Sequence, residues 1–355
     1  MIIDLHNDVP TKSFADQVSL FNEPFPAHID LDKIKISGVN VLFFAAYSNS
    51  NFHGQEAFDI IIHQLDSLKK DLSRRGSPIK IALTSGDIDQ ITEKGEIAAV
   101  LCVEGGYSIT DSFNVLDRYY EQGVRVFTLT HNRSTSWAGS DSDEGKFGLN
   151  KFGEKLIKHL NEAGIIIDTA HASTETIVSA AKTSADPIMY THGGARALAK
   201  QSRSIDDRAI KAIADKGGVI GISFFPPHLL PPGQSGGDWM KGFGSRADIL
   251  NNPSLTHLEK FVKITQMVNP DLPKPDVLPG IEAVFDNIDH IVNLVGDDFV
   301  ALGSDFDGIP FTCVGLEDLS KYPKLVDLMK REGYSETRID KILAKNAKRV
   351  IDSVL

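Results

Sequence analysis

Ile2-Ile3-Asp4-Leu5-His6-Asn7-Asp8 opens the chain as a short apolar run that ends in a histidine and an aspartate two positions apart. Along an extended strand, residues i and i+2 point to the same side, so the run predicts that His6 and Asp8 converge on one point. A neutral imidazole beside a carboxylate suits a divalent transition metal, most often zinc. A His-x-Asp at the end of an apolar strand also sits where a (β/α)8 barrel keeps its chemistry, at the carboxyl end of its first strand. A capping aspartate and a hydrogen-bonded histidine would leave the same seven residues, so the rest of the chain decides between the two.

Outward from this stretch, short apolar and β-branched runs recur at residues 2–6, 39–46, 98–103, 124–130, 165–169, 188–191, 219–225 and 299–303. Amphipathic segments such as 57–74 and 152–163 lie between them, which is the pattern of alternating β and α units. Most of the runs are apolar at nearly every position, as strands buried on both faces of a parallel sheet are. Eight of them point to an α/β fold of the closed (β/α)8, TIM-type class rather than an open sheet. There is no internal repeat. The Pro- and Gly-rich stretch 225–244 reads as a long loop after the seventh strand, and 271–279 as a second extended connection. Periodicity resumes after both, so residues 1–355 are read as a single domain.

Composition narrows the function classes. The 355 residues are 41% hydrophobic and 24% charged, with a formal net charge of −11, an ordinary globular balance. No cluster of Lys and Arg with interleaved aromatics is present, which argues against a nucleic-acid partner. No apolar stretch approaches the ~18 residues that span a bilayer, so no membrane partner is expected. The N-terminus carries no basic and apolar leader, and a cytoplasmic location is expected. Two cysteines, Cys102 and Cys313, do not make a disulfide framework.

Almost every run ends in a group able to bind metal or carry a proton: Glu104-Gly105-Gly106, Thr130-His131, Asp168-Thr169-Ala170-His171, Thr191-His192-Gly193-Gly194 and Ser304-Asp305-Phe306-Asp307-Gly308. Singly, a strand-end histidine is more often a hydrogen-bonded loop residue, and an acid before Gly-Gly is common turn chemistry. With His6 and Asp8 of the first run these make six such ends on one rim, a poor coincidence, because barrel enzymes draw catalytic groups from several strands onto that rim. Four histidines and several carboxylates exceed what one catalytic zinc takes. Two metals would need a bridging carboxylate and could hold a hydroxide between them. Glu104, with glycines behind it, is the natural bridge.

These residues carry a resemblance. Asp4-Leu5-His6-Asn7-Asp8-Val9-Pro10 resembles the DGHNDLP opening of the renal (membrane) dipeptidase family of zinc peptidases. Glu104-Gly105-Gly106 is similar to its EGG, and GVRVFTLTHNRSTSW at 123–137 to its GVRYLTLTH…W. DTAHAS at 168–173 resembles its DLSHxS, THGGAR at 191–196 its SHSS-type strand end, and GSDFDG at 303–308 its own GSDFDG. GLEDLSKYPKL near the end is also typical of it. The matches keep the family's order over nearly the whole chain.

The resemblance implies a dizinc dipeptidase. His6 and Asp8 would hold one zinc, His171 and His192 the other, and Glu104 would bridge them. Asp305 would take a proton from the bridging water and pass it to the leaving amine; strand alternation would point Asp307 to the same side and makes it the weaker alternative. His131 would steady the oxyanion. Arg203 would clamp the substrate's terminal carboxylate with its two-pronged guanidinium; without the resemblance it reads as a solvated surface charge. The implied substrate is a dipeptide, with a C-terminal D-residue tolerated, and the implied assembly a homodimer. The family's small polar residues after the sixth-strand histidine are replaced by Gly193-Gly194-Ala195-Arg196, so Arg196 either adds positive charge near the pocket or faces solvent. A deaminase or cyclic amidase of the same barrel type is the competing enzyme reading, although those usually open with His-x-His and often bridge through a carboxylated lysine. A barrel kept only for binding would have lost a ligand position, and all five are present.

Overall fold

The parallel runs become strands β1 (Ile3–Asn7), β2 (Val41–Tyr47), β4 (Ile97–Glu104), β5 (Val124–Thr128), β6 (Ile166–Asp168), β7 (Met189–Tyr190), β8 (Val219–Ile222) and β9 (Val300–Leu302), with a short β3 (Ile79–Ile81) between β2 and β4. The computed structural model describes the chain except residues 22–26, 111, 144–146, 236–245 and 268–277. Every strand pairing is parallel. The order is β1-β2-β4-β5-β6-β7-β8-β9, and β9 returns to β1 through Asp4 opposite Leu302. This is the expected eight-stranded (β/α)8 barrel. The unexpected β3 lies beside only the first residues of β4, pairing Ile79 with Ile97 and Ile81 with Ala99. Three residues are too few to show a period of two.

Alternation along the strands sorts side chains into two layers. Ile3, Leu5, Val41, Phe43, Ala98, Val100, Cys102, Val126, Ile166, Met189, Val219 and Ala301 form one buried cluster inside the barrel. Their neighbours Leu42, Phe44, Ala99, Leu101, Val103 and Phe127 pack outward with helix residues such as Leu65, Leu156, Ile210 and Ile288. The helix Lys151–Ala163 illustrates the outer layer. Asn150 caps it by accepting from the amides of Phe152 and Gly153, Gly164 ends it at φ 67°, and Gly153, Leu156, Ile157 and Leu160 are its buried stripe. Each fully buried Leu or Ile of that stripe contributes roughly 1.5–3 kcal/mol.

At the carboxyl ends the inward positions change from apolar to polar: Cys102 is followed two residues on by Glu104, Ile166 by Asp168, and Met189 by Thr191. β1 differs. Its register runs from Asp4 opposite Leu42 to Asn7 opposite Phe44, so β1 carries one extra residue there. The bulge reverses the parity beyond Leu5 and turns His6 toward the barrel axis. Asp8 is not strand at all; at φ −101° and ψ 23° it begins the helix Val9–Asp16. His6 and Asp8 do converge, but by a bulge and a helix start rather than by strand alternation. Among the described residues no helix is long and apolar enough to cross a membrane.

Candidate metal centre

His6 Nε2 lies 3.4 Å from Asp8 Oδ2 and 3.7 Å from Glu104 Oε1. The same glutamate oxygen is 3.2 Å from His171 Nε2 and 3.5 Å from His192 Nε2. The ligand atoms of His6, Asp8 and Glu104 form one group able to hold an ion, and those of Glu104, His171 and His192 form another. Glu104 belongs to both. A third group joins His6, His192 and Asp305. All these side chains are buried.

The electrostatics are those of a site built for cations. Burial pushes the carboxyl of Asp8 up to about 8, with the charge of Asp307 adding to it. Burial likewise pushes Glu104 up to about 8, against the opposing pull of His6, and Asp305 up to about 7, again against His6. Burial holds His131, His171 and His192 well below the ordinary imidazole range, and the Arg203 guanidinium adds to this. Neutral imidazoles expose lone pairs, and three buried carboxylates crowd together, with the Arg203 guanidinium drawing on Asp305. His6 Nε2 is buried with no hydrogen-bond partner, which costs free energy unless something accepts its lone pair. Imidazole and carboxylate donors in this number suit divalent zinc.

Local backbone strain aims several of these groups. His171, Asp305 and Asp307 sit in the left-handed region at φ 64°, 65° and 68°, unusual for residues with a Cβ and typical of functional sites. Gly308 leaves the room: a Cβ there would fall on Asp8 Oδ2 and crowd Asp305. Asp305 faces inward, with Oδ1 4.0 Å from His6 Nε2 and Oδ2 3.8 Å from His228 Nδ1. Asp307 does not share that direction. Its carboxylate accepts from the amides of His28 at 2.7 Å and Ile29 at 3.2 Å, so it fastens a neighbouring loop and is not available as the alternative base. Left-handed backbone at both Asp305 and Asp307, either side of Phe306, has replaced strand alternation there.

His131 lies between Tyr47 and His171, tilted against both, with ring centroids 4.6 and 4.2 Å away. Arg203 is no surface charge. Its side chain is 12% exposed and lies 3.7 Å from Asp141, donating to Tyr190 Oη at 2.8 Å and to the His192 carbonyl at 3.4 Å. Its Nε–H is buried without a partner. Arg196 takes neither expected role. It donates to the carbonyls of Ser202 and Ser204 and to Asp206, bracing the loop that carries Arg203.

Sequence reasoning missed Tyr47 and His228. His228 lies in the short helix Pro226–Leu229, within the stretch 225–244, of which residues 236–244 are outside the described residues, as are 271–277 of the second connection. Its flanking prolines signalled only a loop. Tyr47 ends β2 and was open to the same strand-end argument as the others.

Comparison with known proteins places the chain in a family. A family model described as membrane dipeptidase (peptidase family M19) matches residues 1–355. Dipeptidase verJ of Clonostachys rogersoniana is 26% identical, over 99% of this chain and 84% of its own. An uncharacterized dipeptidase of Schizosaccharomyces pombe is 28% identical, over 98% of this chain and 79% of its own. Among solved structures, a metallo peptidase from Rhodobacter sphaeroides liganded with a phosphinate mimic of the dipeptide L-Ala-D-Ala superposes with a TM-score of 0.82 at 20% identity, covering 100% of this chain and 99% of that one. The probable dipeptidase PvdM from Pseudomonas aeruginosa gives 0.81 at 22% identity, covering 100% and 95%.

Proposed function

Because the chain belongs to the membrane dipeptidase family, we propose that it is a two-zinc enzyme hydrolysing the single peptide bond of dipeptides, including those with a C-terminal D-residue. The observation that carries the two-ion reading is the shared position of Glu104 in both ligand groups. His6 and Asp8 would hold one ion, His171 and His192 the other, and Glu104 would belong to both sets. Bound there, the ions supply Lewis-acid activation of a water and of the amide carbonyl.

The side chains do the rest. Asp305 accepts the proton that the attacking water loses as its oxygen bonds to the carbonyl carbon. As the C–N bond breaks, the same carboxyl returns that proton to the departing amine. A carboxyl raised to about 7 by burial is matched to both halves of this exchange near neutrality. His131, held neutral, still carries one ring N–H and directs it at the developing oxyanion. Arg203 turns its unpartnered Nε–H and its fork toward the terminal carboxylate of the substrate, which restricts the enzyme to short peptides. Tolerance of a D-residue is supported by the dipeptide mimic bound to the Rhodobacter sphaeroides metallo peptidase.

A panel of LL and LD dipeptides, matched tripeptides and dipeptide amides, assayed for released amino acids with zinc-reconstituted protein, tests this. Turnover confined to dipeptides with a free carboxylate is expected. Equal turnover of tripeptides or amides would replace it with a broader amide hydrolase.

A further inference from the structure

Asp168, the first residue of the DTAHAS segment, is fully buried and, among the described residues, forms no ion pair. Its carboxylate is filled instead by four donors. Oδ1 accepts from the amides of Ala170 at 3.0 Å and Thr191 at 2.9 Å. Oδ2 accepts from the hydroxyls of Thr128 at 2.6 Å and Thr191 at 2.8 Å. The Thr191 hydroxyl also stands 3.1 Å from His192 Nδ1.

A hydroxyl has one proton. Thr191 spends it on Asp168, so toward His192 it can only accept, and Nδ1 of that ring must carry the hydrogen. Nε2 is then bare, and it is the nitrogen that faces Glu104 Oε1 and His171 Nε2. Through its bond to Ala170, Asp168 also shapes the turn in which the next residue, His171, takes its left-handed conformation. His171 has no counterpart of the relay: its Nδ1 is buried without a hydrogen-bond partner.

We propose that Asp168 and Thr191 are positioning residues for one half of the metal centre, fixing the tautomer of His192 through the Thr191 hydroxyl and the aim of His171 through the turn. The inference rests on the reading of this site as metal-binding. Outer partners of this type set ligand orientation and basicity, and losing one costs about 10–100-fold in metal affinity.

The test uses zinc calorimetry on the metal-stripped full chain and ¹⁵N NMR of its imidazoles before zinc is added. In the wild type His192 should appear as the Nδ1–H tautomer. Thr191→Val should lose that signature and weaken one of the two zinc sites by about 10–100-fold, leaving the other unchanged. Thr191→Ser, which keeps the hydroxyl, should restore both. Thr128→Val removes a donor from the same carboxylate oxygen without touching His192 and should bind zinc like the wild type. The relay is overturned if wild-type His192 is the Nε2–H tautomer, if Thr191→Val binds zinc normally, or if Thr128→Val and Thr191→Val weaken binding alike. A chain that binds no zinc would defeat the two-metal reading, and the tautomer of the metal-free protein would still decide the relay.

Discussion

His171 Nε2 and His192 Nε2 face each other across 3.0 Å, each within 3.5 Å of the same oxygen of Glu104. Two neutral rings and a carboxylate gain little from such crowding alone, and His171 reaches it only through a left-handed backbone at φ 64° that costs of order 1–3 kcal/mol. A shared cation of the kind proposed above would make the arrangement favourable. The same logic extends through Glu104 to His6 and Asp8.

Asp305→Asn removes the proton carrier while keeping shape. Turnover should fall by about 10²–10⁴-fold, the usual size of general acid–base catalysis, with zinc content unchanged by elemental analysis. Loss of metal in this variant would make Asp305 a ligand, as its group with His6 and His192 allows.

Arg203→Met keeps the aliphatic stem and removes the fork. For a dipeptide the loss in kcat/KM should correspond to roughly 2–5 kcal/mol, whereas a dipeptide amide, already a poor substrate, should change little. Equal losses on both would assign Arg203 to bracing the site through Tyr190 and Asp141.

Gly308→Ala places a methyl group against Asp8 Oδ2. The variant should fold and lose zinc preferentially from the half of the site held by His6 and Asp8. Two zinc ions bound at wild-type affinity would show that Asp8 moves freely, contrary to its packing.

Stability without metal should fall as the pH rises. Asp8 and Glu104, raised to about 8, and Asp305, raised to about 7, keep their protons in the folded chain. Unfolded carboxyls have lost theirs above about pH 5. The unfolded state therefore binds fewer protons, and stability declines until the pH passes the folded values. His131, His171, His192 and His228, held well below the ordinary imidazole range, are neutral in both states above about pH 7.5 and drop out. Melting of EDTA-treated protein should shift down between pH 7 and about 8 and then level off, and the rise in Tm on adding zinc should grow over the same interval. A metal-free Tm that is flat or rises would contradict the buried-carboxylate account.

Much of this was legible before any coordinates. The eight runs were visible because strands buried on both faces are apolar at nearly every position, and the strand-end acids and histidines stood out against them. Residue types also pointed to Glu104 as the bridge. What failed were inferences that carried strand geometry past the strand. Asp307 seemed parallel to Asp305, but both take left-handed backbone and Asp307 turns to His28 and Ile29. His6 and Asp8 met by a bulge that pairing alone reveals. Asp168 and Thr191 sat inside recognised segments without a role, because a tautomer relay exists only once β6 and β7 are side by side. His228 was hidden among prolines in a stretch with no period.

The most direct measurement is a zinc titration of metal-stripped protein, wild type and Glu104→Gln, read by bound metal and by dipeptide hydrolysis. The account predicts that wild-type activity rises until two equivalents are bound, and that Glu104→Gln weakens both sites together, since a neutral amide is a poor bridge. Activity that saturates at one tightly held ion, undisturbed by Glu104→Gln, would contradict it.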